Sequence, residues 1–267
     1  MLTTIKYTLL NPSSHPLMVL YSYFFSGEDE IPPELAWEAY GMGHILWLLS
    51  MGLVCFLIIY TARKLSPEKQ DKLLKAIAIW IAIQEILKDI LNYYAGTLQL
   101  EHLPLHFCGI SIMFSLWYAF RPGKLNGAYI YGMSLPGAFC ALIFPNWTQF
   151  PFWHFSAINS FTIHAELILF ALIALFCGKL KPDIRQIPKM FAVLVLMAVP
   201  IYFLNKKWGT NFMFISDPSP GSPLIPLYNI FGDGYVIAAA VLLVIVWYIM
   251  FLPWYLKEIA LKKNPKA

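Results

Sequence analysis

The sequence predicts an all-α polytopic membrane protein, a bundle of seven transmembrane helices. Three observations predict it. Hydrophobic residues make up 59% of the 267-residue chain and charged residues only 13%, about half the charged share of a soluble domain. Mean hydropathy is +0.61. Apolar stretches of bilayer-crossing length recur along the chain, and the basic residues sit almost entirely in alternate connections between them.

The N-terminal segment, residues 1–39, is amphipathic and broken by Pro12 and Pro16. Its apolar core, residues 17–25, is too short to span, so an interfacial helix or a re-entrant piece is expected. A secretory signal fits less well, because Lys6 is the only preceding basic residue and no small-residue cleavage site follows. An acidic stretch, Glu28 to Glu38, leads into the membrane domain, residues 40–256.

The first span is expected over residues 40–60 and the second over 73–94. The third, 104–120, begins at Pro104, a good first helical residue. The fourth, 125–144, contains Pro136-Gly137 and is expected to kink. The fifth covers 160–177, the sixth 188–204 and the seventh 234–255. Residues 257–267 form a basic tail.

One set of connections carries Arg63, Lys64, Lys69, Lys72, Lys75, Arg121, Lys124, Lys179, Lys181, Arg185 and Lys189, and ends in Lys257 to Lys266. The other carries only Lys6, Lys206 and Lys207. This asymmetry predicts the N-terminus outside and the C-terminus in the cytoplasm of a multi-pass cell-membrane protein. Trp37, Trp147, Trp153 and Trp208 fall near the outer boundary, as an aromatic belt would. Nothing resembles a basic nucleic-acid-binding surface. Cys55, Cys108, Cys140 and Cys177 show no paired spacing, so neither a disulfide framework nor a zinc knuckle is implied. Membrane lipids are the expected partners; no cofactor is expected, and the sequence sets no oligomeric state.

The stretch richest in chemistry is His102-Leu103-Pro104-Leu105-His106-Phe107-Cys108-Gly109. A helix starting at Pro104 puts Cys108 one turn inside, where the helix dipole favours thiolate. The plain alternative makes Cys108 an apolar filler. Inward-running helices place His44, Cys108 and His164 one turn below the outer boundary, and the outward-running second span places Asn92 there too. His164 is the expected base for Cys108, since His106 points to the opposite side and His102 precedes the helix. The alternative for His164 is a core imidazole bonded to a carbonyl.

Glu85, Lys88, Asp89 and Asn92 share one helical face, either lining a chamber or fixing helix packing through an ion network. His102, His106, Cys108 and His164 are acceptable zinc ligands by type, but the residues straddling Pro104 do not make an assured i, i+4 pair, and no metal is expected. Residues 205–232 have the turn chemistry of a lid, with Asn211 as a head-group contact, or form a plain connection.

The run His102 to Cys108, His164, and Gly209-Thr210-Asn211-Phe212-Met213-Phe214 resemble the YwaF-like family of multispanning membrane proteins over about residues 37–255. That family looks related to a eukaryotic transmembrane acyltransferase group that remodels phospholipids. The resemblance implies that Cys108 carries an acyl group with His164 as partner. The chain departs from relatives at Gly109, where they often have a polar residue, and at residues 227–232, where they often have a Pro-Trp-rich run. The expected function is cysteine-dependent acyl transfer or lipid hydrolysis at the outer leaflet. The alternatives are a small-solute transporter or channel, favoured by the charged face and the broken fourth span, and a non-catalytic scaffold.

Overall fold

The computed structural model describes residues 22–263. The part of the expected interfacial segment before residue 22, and the end of the basic tail, lie outside the described residues. Among the described residues every regular element is helical. Helix α1 is Met42–Ala62 and α2 is Pro67–Ala95; α3 is Phe107–Phe120. A broken rod follows: α4 (Lys124–Tyr129), a π-turn (Ile130–Ser134) and α5 (Leu135–Ile143). Then come α6 (Phe155–Phe176), α7 (Ile187–Trp208), α8 (Leu224–Phe231) and α9 (Tyr235–Lys263).

Five helical segments are long and apolar enough to cross a membrane: 42–62, 100–120, 155–176, 184–208 and 224–263. Of the seven spans expected, two fall outside this set. In α2, Glu85, Lys88 and Asp89 interrupt the apolar run. The α4–α5 rod is divided into short pieces.

The division has a local cause. Pro136 has no N–H and its ring displaces the carbonyl four residues earlier, on Gly132. The backbone widens into the π-turn, and the freed Gly132 carbonyl accepts a hydrogen bond from Trp247 Nε1 at 2.7 Å. Trp247 is fully buried on α9. The close approach needs glycine: a Cβ on Gly132 would stand 2.4 Å from Met190 Cε and 3.1 Å from the Phe251 ring. The kink expected at Pro136 is therefore a π-turn one step earlier, satisfied by another helix.

Two apolar clusters meet at α3 and the rod. The first joins α1, α2, α3, α5 and α6. Its centre is α6, 56% of whose apolar window is buried, against 6% for α1. The second joins α3, the rod, α7, α9 and Phe212-Met213.

Ion pairs gather one end of the bundle. Lys179 pairs with Asp71 (2.8 Å), Arg185 with Asp183 (2.6 Å) and Glu258 (3.0 Å), and Lys124 with Asp183 (3.7 Å). Burial works against the Asp183 charge, but the Arg185 hydrogen bonds and Lys124 outweigh it and hold the carboxyl below its ordinary range. The helix starts and ends on this side carry most of the basic residues singled out by the charge asymmetry.

At another set of helix ends, the segment before α1 docks on the start of α6. Trp37 N–H donates to the Thr148 carbonyl and Phe155 N–H to the Phe24 carbonyl, both at 3.0 Å. Two tryptophans expected in an interfacial belt are instead buried. Trp37 stacks on Phe152 (4.6 Å between centroids) and Trp147 on His164 (5.5 Å). The belt rule reads depth but not the inward turn of these loops.

Candidate functional site

Helix α3 starts later than Pro104 alone suggests. Residues 103–106 turn back over its first residues, His106 takes the N-cap position, and Cys108 becomes the second helical residue. Gly109 permits this: a Cβ there would lie 2.6 Å from Pro104 Cα and 2.8 Å from its carbonyl carbon. Gly109 is thus what lets the His-Leu-Pro-Leu-His turn fold onto the helix start. The backbone N–H groups of Cys108 and Gly109 are polar neighbours of the Cys108 sulfur.

Helix α2 supplies the charges. Lys88 Nζ lies 2.6 Å from Glu85 Oε1 and 3.4 Å from Asp89 Oδ1, and donates to the His102 carbonyl at 3.4 Å. Asp89 Oδ1 is buried without an aligned hydrogen bond, so that second pairing is electrostatic only. Lys88 is the hub, since its charge acts on Cys108, His102 and His106, and Glu85 also acts on Cys108.

The loop after α7 closes the other side of His106. Buried Asn205 accepts from Thr210 Oγ1 (3.0 Å) and Phe212 N–H (2.9 Å), and donates to the Phe212 carbonyl (3.0 Å). Asn211 accepts from Ser216 and Asp217 N–H and donates to the Asp217 carbonyl. The clamped turn puts Met213 at φ 60° and Phe214 at φ 52°, unusual for non-glycine residues. It delivers Met213 N–H to His106 Nδ1 at 3.3 Å and sets the Phe212 and Phe214 rings 5.3 and 5.2 Å from the imidazole. Tyr235 Oη donates to the Phe214 carbonyl at 2.6 Å.

Eight of the ten predicted site residues fall into two groups. Cys108, Glu85, Lys88, Asp89, His102 and His106 come together. His44 and His164 belong to an aromatic assembly around Phe161 and Trp147. Among the described residues no hydrogen bond joins Cys108 to His164. Asn92 is buried at the end of α2, where its Oδ1 accepts from Thr97. Asn211 spends its amide on its own loop.

Backbone partners fix the neutral tautomers. His102 Nδ1 accepts from Gln99 N–H, His106 Nδ1 from Met213 N–H, and His44 Nδ1 from Tyr40 N–H. Each neutral ring therefore carries its proton on Nε2, and His44 donates it to the Leu142 carbonyl at 2.8 Å. His164 is the reverse. Its Nδ1 faces the Ser160 carbonyl at 2.6 Å and must donate, leaving a basic lone pair on Nε2. His102 and His106 are thus built as donors, His164 as an acceptor.

Tyr129 and Asn205 escaped the sequence reading, and Glu166, two positions beyond His164, was expected to face elsewhere. Tyr129 is buried beside Cys108, with Ser111 next to its hydroxyl. Asn205 clamps the loop. Glu166 turns toward α2, where its carboxylate accepts from Trp80 Nε1 (2.9 Å) and Gln84 Nε2. Among the described residues no group of three or more His, Cys, Asp or Glu side chains converges as a metal site requires.

No curated protein and no solved structure matches the chain. The TMEM164 family model matches residues 39–251, a stretch that holds the cysteine turn, the α2 charges and the α7 loop. This multi-pass helical membrane protein belongs to the TMEM164 family.

Proposed function

We propose that the protein is a membrane acyltransferase, or a lipid-modifying hydrolase, that carries an acyl group on Cys108. The observation behind this reading is the position of Cys108: second residue of α3, beside Glu85 and Lys88, under the turn that holds His102 and His106. The YwaF-like resemblance supports it. In this reading seven helices cross the cell membrane, with the N-terminus outside, and the ion-paired end of the bundle is cytoplasmic.

A phospholipid enters sideways from the outer leaflet. The Cys108 thiol gives its proton to Nε2 of His164, which requires the two helices to close on the bound lipid. The thiolate attacks the ester carbonyl carbon. The Nε2–H groups of His102 and His106, with Lys88, stabilise the developing oxyanion or the phosphate. The ester C–O bond breaks, the lysolipid oxygen takes the proton from His164, and a thioester remains on Cys108. An acceptor hydroxyl, or water for hydrolysis, then attacks the thioester and restores the thiol.

The test is intact-mass analysis of protein purified from lipid. An acyl mass removed by hydroxylamine and absent from Cys108→Ala is expected. Lipid-loaded protein that never carries such a mass overturns the reading.

A further inference from the structure

Midway along α6, far from either helix end, Glu166 borders a cavity. This groove of about 330 Å³ runs between α1 and α6, lined by Trp47, Met51, Val54, Cys55 and Leu169 among others. Val54 is exposed, so the groove opens on the outer face of the bundle.

Its other polar groups are already committed. Ser50 Oγ donates to the Trp47 carbonyl, Thr162 Oγ1 to the Ile158 carbonyl, and Cys55 Sγ to the Ala165 carbonyl. Glu166 differs. Trp80 and Gln84 are neutral donors and occupy one lone pair on each carboxylate oxygen, leaving one free on each. Among the described residues no Lys, Arg or His forms an ion pair with it, whereas the other carboxylates of the apolar spans, Glu85 and Asp89, share Lys88. A carboxylate in an apolar span is costly to ionise without a cation, so an arriving cation would be bound strongly by it.

We propose that the α1–α6 groove binds a single-chain cationic amphiphile, an alkyl chain bearing a protonated amine, with Glu166 as its counter-ion. The volume lies at the small end of ligand pockets, which suits one chain rather than a two-chain lipid. The apolar lining takes the chain, and the free carboxylate lone pairs take the ammonium hydrogens. The site is separate from Cys108 and does not rest on the acyl-transfer reading.

The test uses the full chain in a neutral glycoside detergent and a photoactivatable dodecylamine. Cross-links are mapped by peptide mass spectrometry, with dodecylamine, dodecanol and dodecanoate as competitors. Capture on residues 47–58 and 162–169 is expected, with dodecylamine competing about tenfold better than dodecanol, the margin of one charge-assisted hydrogen bond. Glu166→Gln keeps an acceptor for Trp80 and should remove that preference. Val54→Trp, which fills the groove from the α1 side, should abolish capture, and Cys108→Ala should leave it intact. Equal competition by the three amphiphiles, or amine preference unchanged in Glu166→Gln, overturns the proposal. So does capture that persists in Val54→Trp, a result that holds even if the Glu166 variant fails to fold.

Discussion

Replacing Gly109 with alanine tests the account of the cysteine turn most directly. The new Cβ would stand 2.6 Å from Pro104 Cα and 2.8 Å from both its carbonyl carbon and Cβ. Ordinary contact with carbon begins near 3.5 Å, so Pro104 and the helix start must part by about 1 Å. The obstructing atoms include backbone, which has no rotamer to move. Forced overpacking of this kind costs about 1–3 kcal/mol. The displaced segment carries His102, His106 and Cys108, and a 1 Å misplacement at a reacting centre costs about 10²-fold in rate. Thermal unfolding in detergent reads the first effect, and the rate of hydroxylamine-sensitive labelling of Cys108 reads the second. Gly137→Ala is the control, since a Cβ there meets nothing within 4 Å. If Gly109→Ala matches Gly137→Ala in both assays, the turn does not position the cysteine as argued.

The other predictions follow from single contacts. Trp247→Phe leaves the buried Gly132 carbonyl without its donor and should destabilise the bundle by about 1–3 kcal/mol, measured by chemical unfolding in detergent; an unchanged midpoint would mean the π-turn satisfies itself. Asn205→Ala frees Thr210 and Phe212 and should release Met213 from His106, seen as faster amide exchange over residues 209–214 with α7 protection retained. His154 should make the α6 start pH-sensitive. Its Nε2–H donates to the Ser26 carbonyl and its Nδ1 accepts from Ser156 N–H, both at 3.0 Å. Burial holds its pKa below the ordinary 6.5, with the Ser26 carbonyl opposing. Its contribution is therefore complete above about pH 6.5 and is lost as pH falls through the lower folded value. Protection of Ser156 N–H, taken relative to its intrinsic exchange rate at each pH, should fall on acidification, and His154→Asn, an N-cap without a titrating proton, should flatten that fall.

The helices were legible because apolar length and punctuation are local properties. Gly96 and Gly209, at φ 74° and 68°, end α2 and α7 where the chain permits a left-handed residue. The α2 charges were legible as a face for the same reason. What stayed hidden depends on distant partners. Pro136 announces a break, but only Trp247, on another helix, explains how the broken backbone is satisfied. Pro104 announces a helix start, but the empty space at Gly109 moves that start to Phe107. His106 was assigned by its angle on α3, yet its Nδ1 is taken by a loop amide 107 positions away.

The histidines show why spacing alone could not sort acid from base. An imidazole has two nitrogens, and the backbone partner of one fixes the protonation of the other. His102 bonds an amide N–H three residues earlier, while His164 bonds a carbonyl one helical turn earlier. These opposite partners give opposite chemistry to side chains of identical type. A carbonyl at i−4 is available to any histidine inside a helix, so the basic Nε2 of His164 is a consequence of its place within α6. The donor Nε2–H groups of His102 and His106 are a consequence of lying outside α3, in a turn and at a cap. The tautomers of His102 and His106 are therefore set by where α3 begins, and that beginning depends on the missing side chain of Gly109.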